Sequence, residues 1–380
     1  MRIALFCHSL LSDWNHGNAH FLRGVVTDLA SRGHETRVFE PLDAWSAANL
    51  VAEHGTWPFD AARRAYPLVR PERYDLARFD FERATDGVDA VLVHEWNDRA
   101  LVARLGRMRR LGARFRLLFH DTHHRSITAP EEMAAYDLDG YDGVLAFGKV
   151  LRDIYLDRSL VQRAWVWHEG ADTRVFRPLG DLGPRERDLV FVGNWGDDER
   201  SAELKEYVLE PVRELGLSAT FHGVRYPEEA RTALSAAGVR LAGWVPNFEV
   251  PRVFARHRVT VHVPRRPYAA ALPGIPTIRM FEALACGIPL ISAPWEDSEG
   301  LFSAGTDYLR ATSGAAMKRQ LALLIGDPAF ARQLAARGRR TVLERHTCAH
   351  RVDQLLAILA DLGVVDRTAP RAEPPEAHAP

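Results

Sequence analysis

The most informative segment of this chain is Gly274-Ile-Pro-Thr-Ile-Arg-Met-Phe-Glu-Ala-Leu-Ala-Cys-Gly-Ile-Pro-Leu-Ile-Ser292. Four apolar residues in it recur at the spacing of one helical face, which predicts that this face is buried: Met280, Phe281, Leu284 and Ala285. Gly287 ends the helix, because glycine is the usual residue just past a helix C-terminus. The apolar residues 288–292 then form a strand, so the segment predicts a helix–strand unit.

Glu282 lies beside that buried face, near the start of the helix. A helix N-terminus favours negative groups such as phosphates. A carboxylate placed there can accept two hydrogen bonds from a vicinal diol, such as a ribose. The same residue could instead only complement the helix dipole, and spacing alone leaves both interpretations open.

The run RMFEALACGIPLIS, residues 279–292, strongly resembles the nucleotide-sugar segment of GT-B glycosyltransferases, usually E-A-(L/M)-A-x-G-x-P-(L/V)-(I/V). The closest similarity is to the CgeB-like (spore-maturation-protein) group. It continues through Glu299-Gly-Leu-Phe302, Gly305-Thr-Asp-Tyr-Leu309 and Arg345-His-Thr-Cys-Ala-His-Arg351. The resemblance covers most of the chain and is looser in the N-terminal half. It implies the GT-B fold, in which two Rossmann-like domains face each other across a cleft.

Composition agrees with a two-domain globular protein. The 380 residues are 47% hydrophobic and 26% charged, which suits two domains of roughly 180 residues. A formal net charge of −1 gives no general attraction to nucleic acid or anionic lipid. The three cysteines are too scattered for a disulfide framework or a zinc site. No apolar run approaches the ~20 residues of a membrane helix, and the chain start resembles a strand rather than a signal peptide, so we expect a cytoplasmic protein without transmembrane segments.

Strand and helix patterns alternate along the chain, which predicts an α/β fold with parallel sheets. Strands are predicted at residues 2–7, 35–39, 88–94, 115–119, 143–147, 165–167, 188–192, 219–222, 240–241, 259–263 and 288–292. Two strand–glycine-loop–helix openings suggest tandem Rossmann-like domains. We predict an acceptor domain (1–177), a Pro/Gly-rich linker (178–184), a donor domain (185–346), a terminal helix (347–366) that in GT-B proteins crosses back to the first domain, and a disordered tail (367–380).

Neither glycine loop fits the G-x-G-x-x-G fingerprint of dinucleotide binding, which argues against a nicotinamide or flavin cofactor. The resemblance instead implies a donor site for a nucleoside-diphosphate sugar. Its predicted residues approach the diphosphate, border the base or bind the ribose: Gly193, Arg200, Trp244, Val245, Arg279 and Glu282. Four of them have a plainer alternative: Arg200 as a solvated arginine early in a helix, Trp244 and Val245 as an ordinary turn, Arg279 as a structural ion pair.

One departure from the family pattern concerns the transferred sugar. Retaining GT-B enzymes often carry two glutamates separated by seven residues, and Gly274 stands where the first would be. The sugar contact is therefore missing or comes from elsewhere, with Arg265, Arg266, Tyr268 or amides near Gly274 as candidates. We expect retention of anomeric configuration, since no isolated carboxylate stands out as an inverting base, although Asp13 and Asp121 keep inversion open.

The acceptor side is marked by residues 117–126, a strand that runs into a polar cluster. We predict His120 and Asp121 as catalytic, since a histidine at the position of His120 contacts the donor sugar in related enzymes. Acceptor or sugar contacts are assigned to Gly17, Asn18, His123 and Arg125. A metal held by His120, Asp121, His123 and His124 is an alternative, but the resemblance implies a metal-independent enzyme. Glu169, where the family usually has Asn, is given a structural role at the hinge.

The sequence thus predicts a metal-independent glycosyltransferase that needs no cofactor besides its sugar-nucleotide donor. The acceptor is unknown, and no nucleic-acid partner is expected. Two alternatives remain: a GT-B-type sugar-nucleotide epimerase, and a non-catalytic nucleotide-sugar-binding protein.

Overall fold

The computed structural model describes residues 1–180, 183 and 185–366. The tail predicted to be disordered and part of the predicted linker lie outside the described residues. The N-terminal half is built on a seven-stranded sheet of β1 (Arg2–Phe6), β2 (Glu35–Pro41), β3 (Pro71–Tyr74), β4 (Ala90–His94), β5 (Arg116–Asp121), β6 (Gly143–Ala146) and β7 (Ala164–Val166). The strand order is β3-β2-β1-β4-β5-β6-β7, and all neighbours are parallel.

The C-terminal half is built on a six-stranded sheet of β8 (Arg187–Val192), β9 (Ala219–His222), β10 (Val239–Gly243), β11 (His257–His262), β12 (Leu290–Ser292) and β13 (Leu309–Arg310). The order is β10-β9-β8-β11-β12-β13, again with parallel neighbours. Every predicted strand is present, and the predicted α/β class with two parallel sheets is confirmed. The short outer strands β3 and β13 were not predicted.

Helices of the N-terminal half are α1 (Asn18–Ser31), α2 (Trp45–His54), α3 (Trp57–Ala65), α4 (Phe81–Thr85), α5 (Arg99–Arg110), α6 (Arg125–Thr128), α7 (Pro130–Ala134) and α8 (Lys149–Asp157). Those that follow are α9 (Ser201–Leu204), α10 (Glu210–Leu215), α11 (Glu228–Ala236), α12 (Val250–Ala255), α13 (Arg266–Ala271), α14 (Ile278–Cys286), α15 (Gly314–Gly326), α16 (Pro328–Arg345) and α17 (Cys348–Asp361). A π-helical turn, Lys205–Leu209, joins α9 to α10. Among the described residues, no helix is long and apolar enough to cross a membrane.

Helix α14 shows how the sequence produces its local structure. All of its residues except Arg279 are buried, as the apolar spacing predicts. Gly287 ends the helix at φ 68°, a left-handed conformation that glycine adopts without a steric penalty. The helix thereby turns directly into β12, and its N-terminal end is left pointing at the space between the two halves.

Helix α17 packs against α1 of the N-terminal half. Val352 and Leu355 belong to the same buried apolar cluster as Phe21 and Val25. The approach is close because Gly24 has no side chain, and a Cβ at that position would overlap the Cys348 side chain. The last helix therefore joins the core of the first half, although it follows the second half in the chain.

Both sheets present the carboxyl ends of their strands to the same space. Parallel strands bind ligands at that edge, because the loops there carry polar groups free of strand pairing. In this protein the loops after β1, β5, β8 and β10 meet across a central cleft. The cleft is the natural position for a functional site.

Candidate functional site

A cavity of about 730 Å³ lies between the two halves. Residues from both halves line it, and its volume falls in the range of ligand sites for metabolites and cofactors. The halves also contact each other across it. Asp13 accepts hydrogen bonds from Trp244 Nε1 at 3.2 Å and the Asn247 amide at 3.1 Å, and Asn194 Nδ2 donates to Asn15 Oδ1 at 2.5 Å. The two halves are thus in direct contact across the cleft, the arrangement that we call the closed form.

Three of the predicted acceptor residues lie on the cavity wall: Gly17, Asn18 and His123. Asn18 Nδ2 donates to Thr122 Oγ1 at 2.5 Å, which fixes the start of α1 against the end of β5. Burial, together with the neighbouring His124, lowers the pKa of His123 to about 2. His123 is therefore neutral at physiological pH and can accept or donate a hydrogen bond without carrying charge. The tryptophans Trp14, Trp45 and Trp96 add aromatic surface to the same wall.

His120 and Asp121, predicted as catalytic, lie beneath the wall rather than on it. The His120 ring packs against Trp167 and His94, with centroids 4.8 Å and 5.2 Å away, and burial lowers its pKa to about 3. The Asp121 carboxylate accepts hydrogen bonds from Ser126 Oγ and Tyr155 OH, both at 2.8 Å. Neither side chain reaches the cavity in this closed form, so their catalytic roles stay predictions.

Arg125, predicted to contact the acceptor or sugar, is also outside the wall. Its guanidinium lies 4.1 Å from the centre of the Trp96 ring and donates to Glu95 Oε2 at 2.7 Å. Burial and the nearby Asp121 raise the pKa of Glu95 to about 8. The geometry gives Arg125 an indirect position, since it holds Trp96, which does line the cavity.

The donor half brings five predicted residues to the wall: Gly193, Arg200, Trp244, Val245 and Arg279. The Gly193 amide donates to the His222 carbonyl at 2.8 Å. The predicted approach of a diphosphate at this glycine would therefore involve neighbouring backbone amides, and it stays a prediction. The missing side chain of Gly193 lets the Arg200 guanidinium approach the backbone closely, because a Cβ at this position would lie 3.0 Å from Arg200 Nη2.

Arg200 is buried rather than solvated. Its guanidinium donates to the Asn194 carbonyl at 2.7 Å, to Asn194 Oδ1 at 2.7 Å and to the Val263 carbonyl at 3.0 Å. Burial, and secondarily Arg265, lowers its pKa to about 10, so it is still cationic at neutral pH. A buried cation that contacts neutral acceptors leaves its charge uncompensated, and it favours an anion in the adjacent cavity.

Glu282 lies just behind the wall and is 1% exposed. Oε2 accepts from Arg279 Nη1 at 2.6 Å, and Oε1 lies 3.2 Å from Asn247 Nδ2 and 3.0 Å from His20 Nδ1. Burial opposes ionisation, yet Arg279 and then His20 hold the pKa of this carboxyl below its usual value. Its ribose contact stays a prediction, since protein donors occupy both oxygens in this closed form.

Glu169 is a cavity residue that the sequence analysis assigned only to the hinge. It follows β7, lines the cavity and is 5% exposed. Burial, and then Glu282, raises its pKa to about 8. The signal in the sequence was the substitution itself, an acid where Asn is usual. The direction of the Glu169 side chain, however, depends on the course of residues 168–172, the crossing segment, and cannot be read from spacing.

The alternative of a metal at the histidine-rich segment finds no matching geometry. Throughout residues 1–180, 183 and 185–366, no three His, Cys, Asp or Glu side chains come together as a possible metal site. His120 and Asp121 lie in the core, whereas His123 lies on the cavity wall. The rings of His123 and His124 lie 4.0 Å apart, but the four candidate ligands do not come together as one site in the described residues.

Residues 200–357 match the model of a family described as glycosyl transferase-like. That range contains α14 and most of the donor side of the cavity. No curated protein sequence matches this chain.

The whole chain resembles solved glycosyltransferase structures. Sucrose-phosphate synthase from Thermosynechococcus elongatus is 17% identical, with 96% of this chain and 99% of that chain covered and a TM-score of 0.64. Anabaena HepE in complex with UDP-glucose is 14% identical, with coverage of 95% and 100% and a TM-score of 0.65. A glycosyltransferase from Rickettsia africae is 11% identical, with coverage of 96% and 99% and a TM-score of 0.67. The chain therefore has the fold of GT-B glycosyltransferases, and its residues 200–357 are similar to a glycosyl transferase-like family.

Proposed function

We propose that this protein is a metal-independent glycosyltransferase, of the CgeB-like type, that transfers a sugar from a UDP-sugar to an acceptor. The observation that carries the proposal is the start of α14, which opens into the cavity through Thr277, Ile278 and Arg279. A helix N-terminus with an adjacent cation is a binding site for phosphate groups. The match of residues 200–357 to a glycosyl transferase-like family supports the same conclusion.

The cations of the cavity support a diphosphate in particular. Arg200, Arg265 and Arg279 all line it, although the formal charge of the chain is −1. A local concentration of arginines stabilises negative charge as it develops on a departing diphosphate. We therefore assign leaving-group stabilisation to these side chains and α14, with no metal ion. We propose UDP as the nucleotide of the donor because HepE, a protein of the same fold, was solved with UDP-glucose.

The acidic residues on and beneath the cavity wall favour a reaction with retention of configuration. An inverting enzyme needs a carboxylate that is free to take the acceptor proton. Asp13 lines the cavity, but its oxygens accept from Arg23, Trp244 and Asn247. Asp121, the other candidate, is buried beneath the wall. Glu169, which also lines the cavity, is protonated at neutral pH because burial and Glu282 raise its pKa to about 8. With Asp13 and Asp121 engaged and Glu169 protonated, we propose that the donor sugar is transferred with retention.

The test is a screen of nucleotides and their sugars, followed by a turnover assay. UDP and UDP-glucose should raise the melting temperature of the protein, because a ligand that binds only the folded state stabilises it. The corresponding GDP, dTDP and ADP compounds are the controls. Slow release of UDP from the sugar donor, and faster release with a panel of glycan and small-molecule acceptors, should then be measured by coupled assay.

Two results would contradict the proposal. Conversion of UDP-glucose into its epimer without any acceptor would identify an epimerase. Tight UDP-glucose binding with no release of UDP, with or without acceptors, would identify a binding protein. Product anomers read by NMR separate retention from inversion.

A further inference from the structure

The backbone of Glu169 is held by a residue of α17, and its side chain faces the cavity. The Arg351 guanidinium donates through Nε to the Glu169 carbonyl at 3.1 Å, and Trp167 Nε1 donates to the Arg351 carbonyl at 2.8 Å. These contacts fix the backbone of the crossing segment on α17. The side chain, in contrast, lines the cavity and lies near the backbone amide of Ile278, the first residue of α14.

Glu169 differs from three other buried acids around the cleft in having no cationic partner. Asp13 is paired with Arg23 at 3.0 Å, Glu95 with Arg125 at 2.7 Å, and Glu282 with Arg279 at 2.6 Å. Glu169 makes no ion pair with any residue in the described part of the chain. A buried carboxyl without a cation favours its neutral form.

The groups that face Glu169 reinforce that preference. Glu282 on α14 repels a second negative charge, and Arg279 on the same helix opposes this only in part. Tyr268 of α13 is also close enough to interact with it electrostatically, and Arg351 contacts its backbone carbonyl rather than its carboxyl. With its pKa raised to about 8 by burial and Glu282, Glu169 carries a proton at neutral pH.

The position of Glu169 matters because the proposed diphosphate site begins at the same helix end. An ionised carboxylate there would repel the diphosphate, whereas a carboxylic acid can donate a hydrogen bond to it or to a sugar hydroxyl. We propose that Glu169 contacts the bound donor where its sugar joins its diphosphate, and that it acts there as a hydrogen-bond donor. The inference rests on the proposed function and adds a residue on the N-terminal half that recognises the donor.

Three variants distinguish this role from a structural one. Glu169→Gln keeps a hydrogen-bond donor in its amide but cannot ionise, whereas Glu169→Ala removes the donor. Glu95→Gln is the matched control, since Glu95 is equally buried, has a pKa near 8 and does not line the cavity. UDP release from UDP-glucose should be measured with each protein from pH 6 to pH 10, with UDP and UDP-glucose affinities from calorimetry.

The wild-type rate should fall as the pH rises through about 8, where Glu169 loses its proton. Glu169→Gln should keep most of the neutral-pH rate and lose this decline, and Glu95→Gln should keep the decline. Glu169→Ala should lower the rate, and its affinity for UDP-glucose, by roughly 10- to 100-fold, the scale of one hydrogen bond to a charged group. Its affinity for UDP alone should change much less.

Several results would overturn the inference. If Glu169→Gln is as slow as Glu169→Ala, an ionised carboxylate is required. If Glu169→Ala behaves like the wild type in rate and affinity, or if Glu95→Gln abolishes the decline, Glu169 is structural. A wild-type protein that binds neither UDP nor UDP-glucose contradicts the proposed function itself. If UDP-glucose binds without turnover, the affinities alone decide the role of Glu169.

Discussion

His20 Nδ1, at the start of α1, lies 3.0 Å from Glu282 Oε1 on α14. The two side chains come from opposite halves of the molecule, and both are almost fully buried. The carboxylate predicted to bind a ribose is therefore also a point where the closed cleft is held together. Nucleotide binding and cleft closure share one side chain, because Glu282 contacts Arg279 and Asn247 as well.

Replacing Glu282 should therefore lower stability as well as affinity. Glu282→Gln leaves Arg279 without its partner, and breaking such a buried pair costs about 2 kcal/mol or more. The pKa of Glu282 is lowered in the folded protein. Its contribution is therefore complete above the unfolded pKa of about 4.3 and is lost as the pH falls through the lower folded value. Urea unfolding at pH 7 and at pH 4 measures this.

Glu249→Gln is the control, because Glu249 and Arg252 form the same i,i+3 pair, at 3.0 Å, on the surface. That variant should lose only about 0.5 kcal/mol or less. A Glu282→Gln protein as stable as the wild type at pH 7 would show that Glu282 does not hold the cleft.

The sequence predicts more of the fold than of the site. The buried face of α14 follows from its apolar spacing, and strand ends such as His120 follow from runs of apolar residues. The sequence pattern does not predict which side chains reach the cavity. His120 is covered by Trp167 and His94, which come from other strands, and their packing depends on contacts that no local pattern contains.

Residues on the crossing segment were the hardest to predict. Glu169 and His168 are adjacent in sequence, but Glu169 faces the cavity while His168 Nε2 lies 3.0 Å from Glu299 Oε2. The segment has no helical or strand periodicity that would tell the two directions apart. Its course is set by α17, through Arg351, a contact between residues 182 positions apart.

The fold should lose stability in mild acid because it buries neutral histidines. Burial lowers the pKa values of His120 and His262 to about 3, so only the unfolded chain takes up these protons between about pH 6.5 and pH 3. Stability then falls with decreasing pH by about 1.4 kcal/mol per unit for each such histidine. Urea unfolding at several pH values from 7.5 to 5 should show this slope.

His262→Gln should reduce the slope by one histidine's share. Ser292→Ala is the control, since it removes the hydroxyl that lies 2.8 Å from His262 Nδ1 but leaves the histidine. It should lower stability with the slope unchanged. If His262→Gln keeps the full wild-type slope, His262 is not the buried neutral group described here.

Chelation should leave the activity intact. The proposed stabilisation of the leaving diphosphate comes from Arg200, Arg265, Arg279 and the start of α14, none of which requires a bound metal ion. UDP release from UDP-glucose should therefore be the same before and after prolonged EDTA treatment and dialysis. Elemental analysis of the purified protein provides the control. Stoichiometric metal, with turnover lost on its removal and restored on its return, would contradict metal independence.

Arg200 should distinguish nucleotides by their phosphates. It lines the cavity as a buried cation, and its contacts are neutral oxygens of Asn194 and Val263. No carboxylate among the described residues lies within hydrogen-bonding distance of its guanidinium, so a diphosphate would be its first anionic partner there. Arg200→Ala should therefore weaken UDP binding by roughly 10- to 100-fold, the scale of a charge-assisted hydrogen bond. Uridine, which has no phosphate, should bind nearly as before.

Arg225→Ala is the matched control for this prediction. Arg225 also lines the cavity, but it is about half exposed and already paired with Asp197 at 2.9 Å. An exposed, paired arginine contributes little to binding, so this variant should lose less than about threefold in UDP affinity. Calorimetry with UDP, UMP and uridine on both variants makes the comparison. Equal losses of affinity for UDP and uridine in Arg200→Ala would mean that the arginine only supports the loop of Asn194. A loss confined to the two phosphorylated ligands, UDP and UMP, assigns the arginine to the diphosphate.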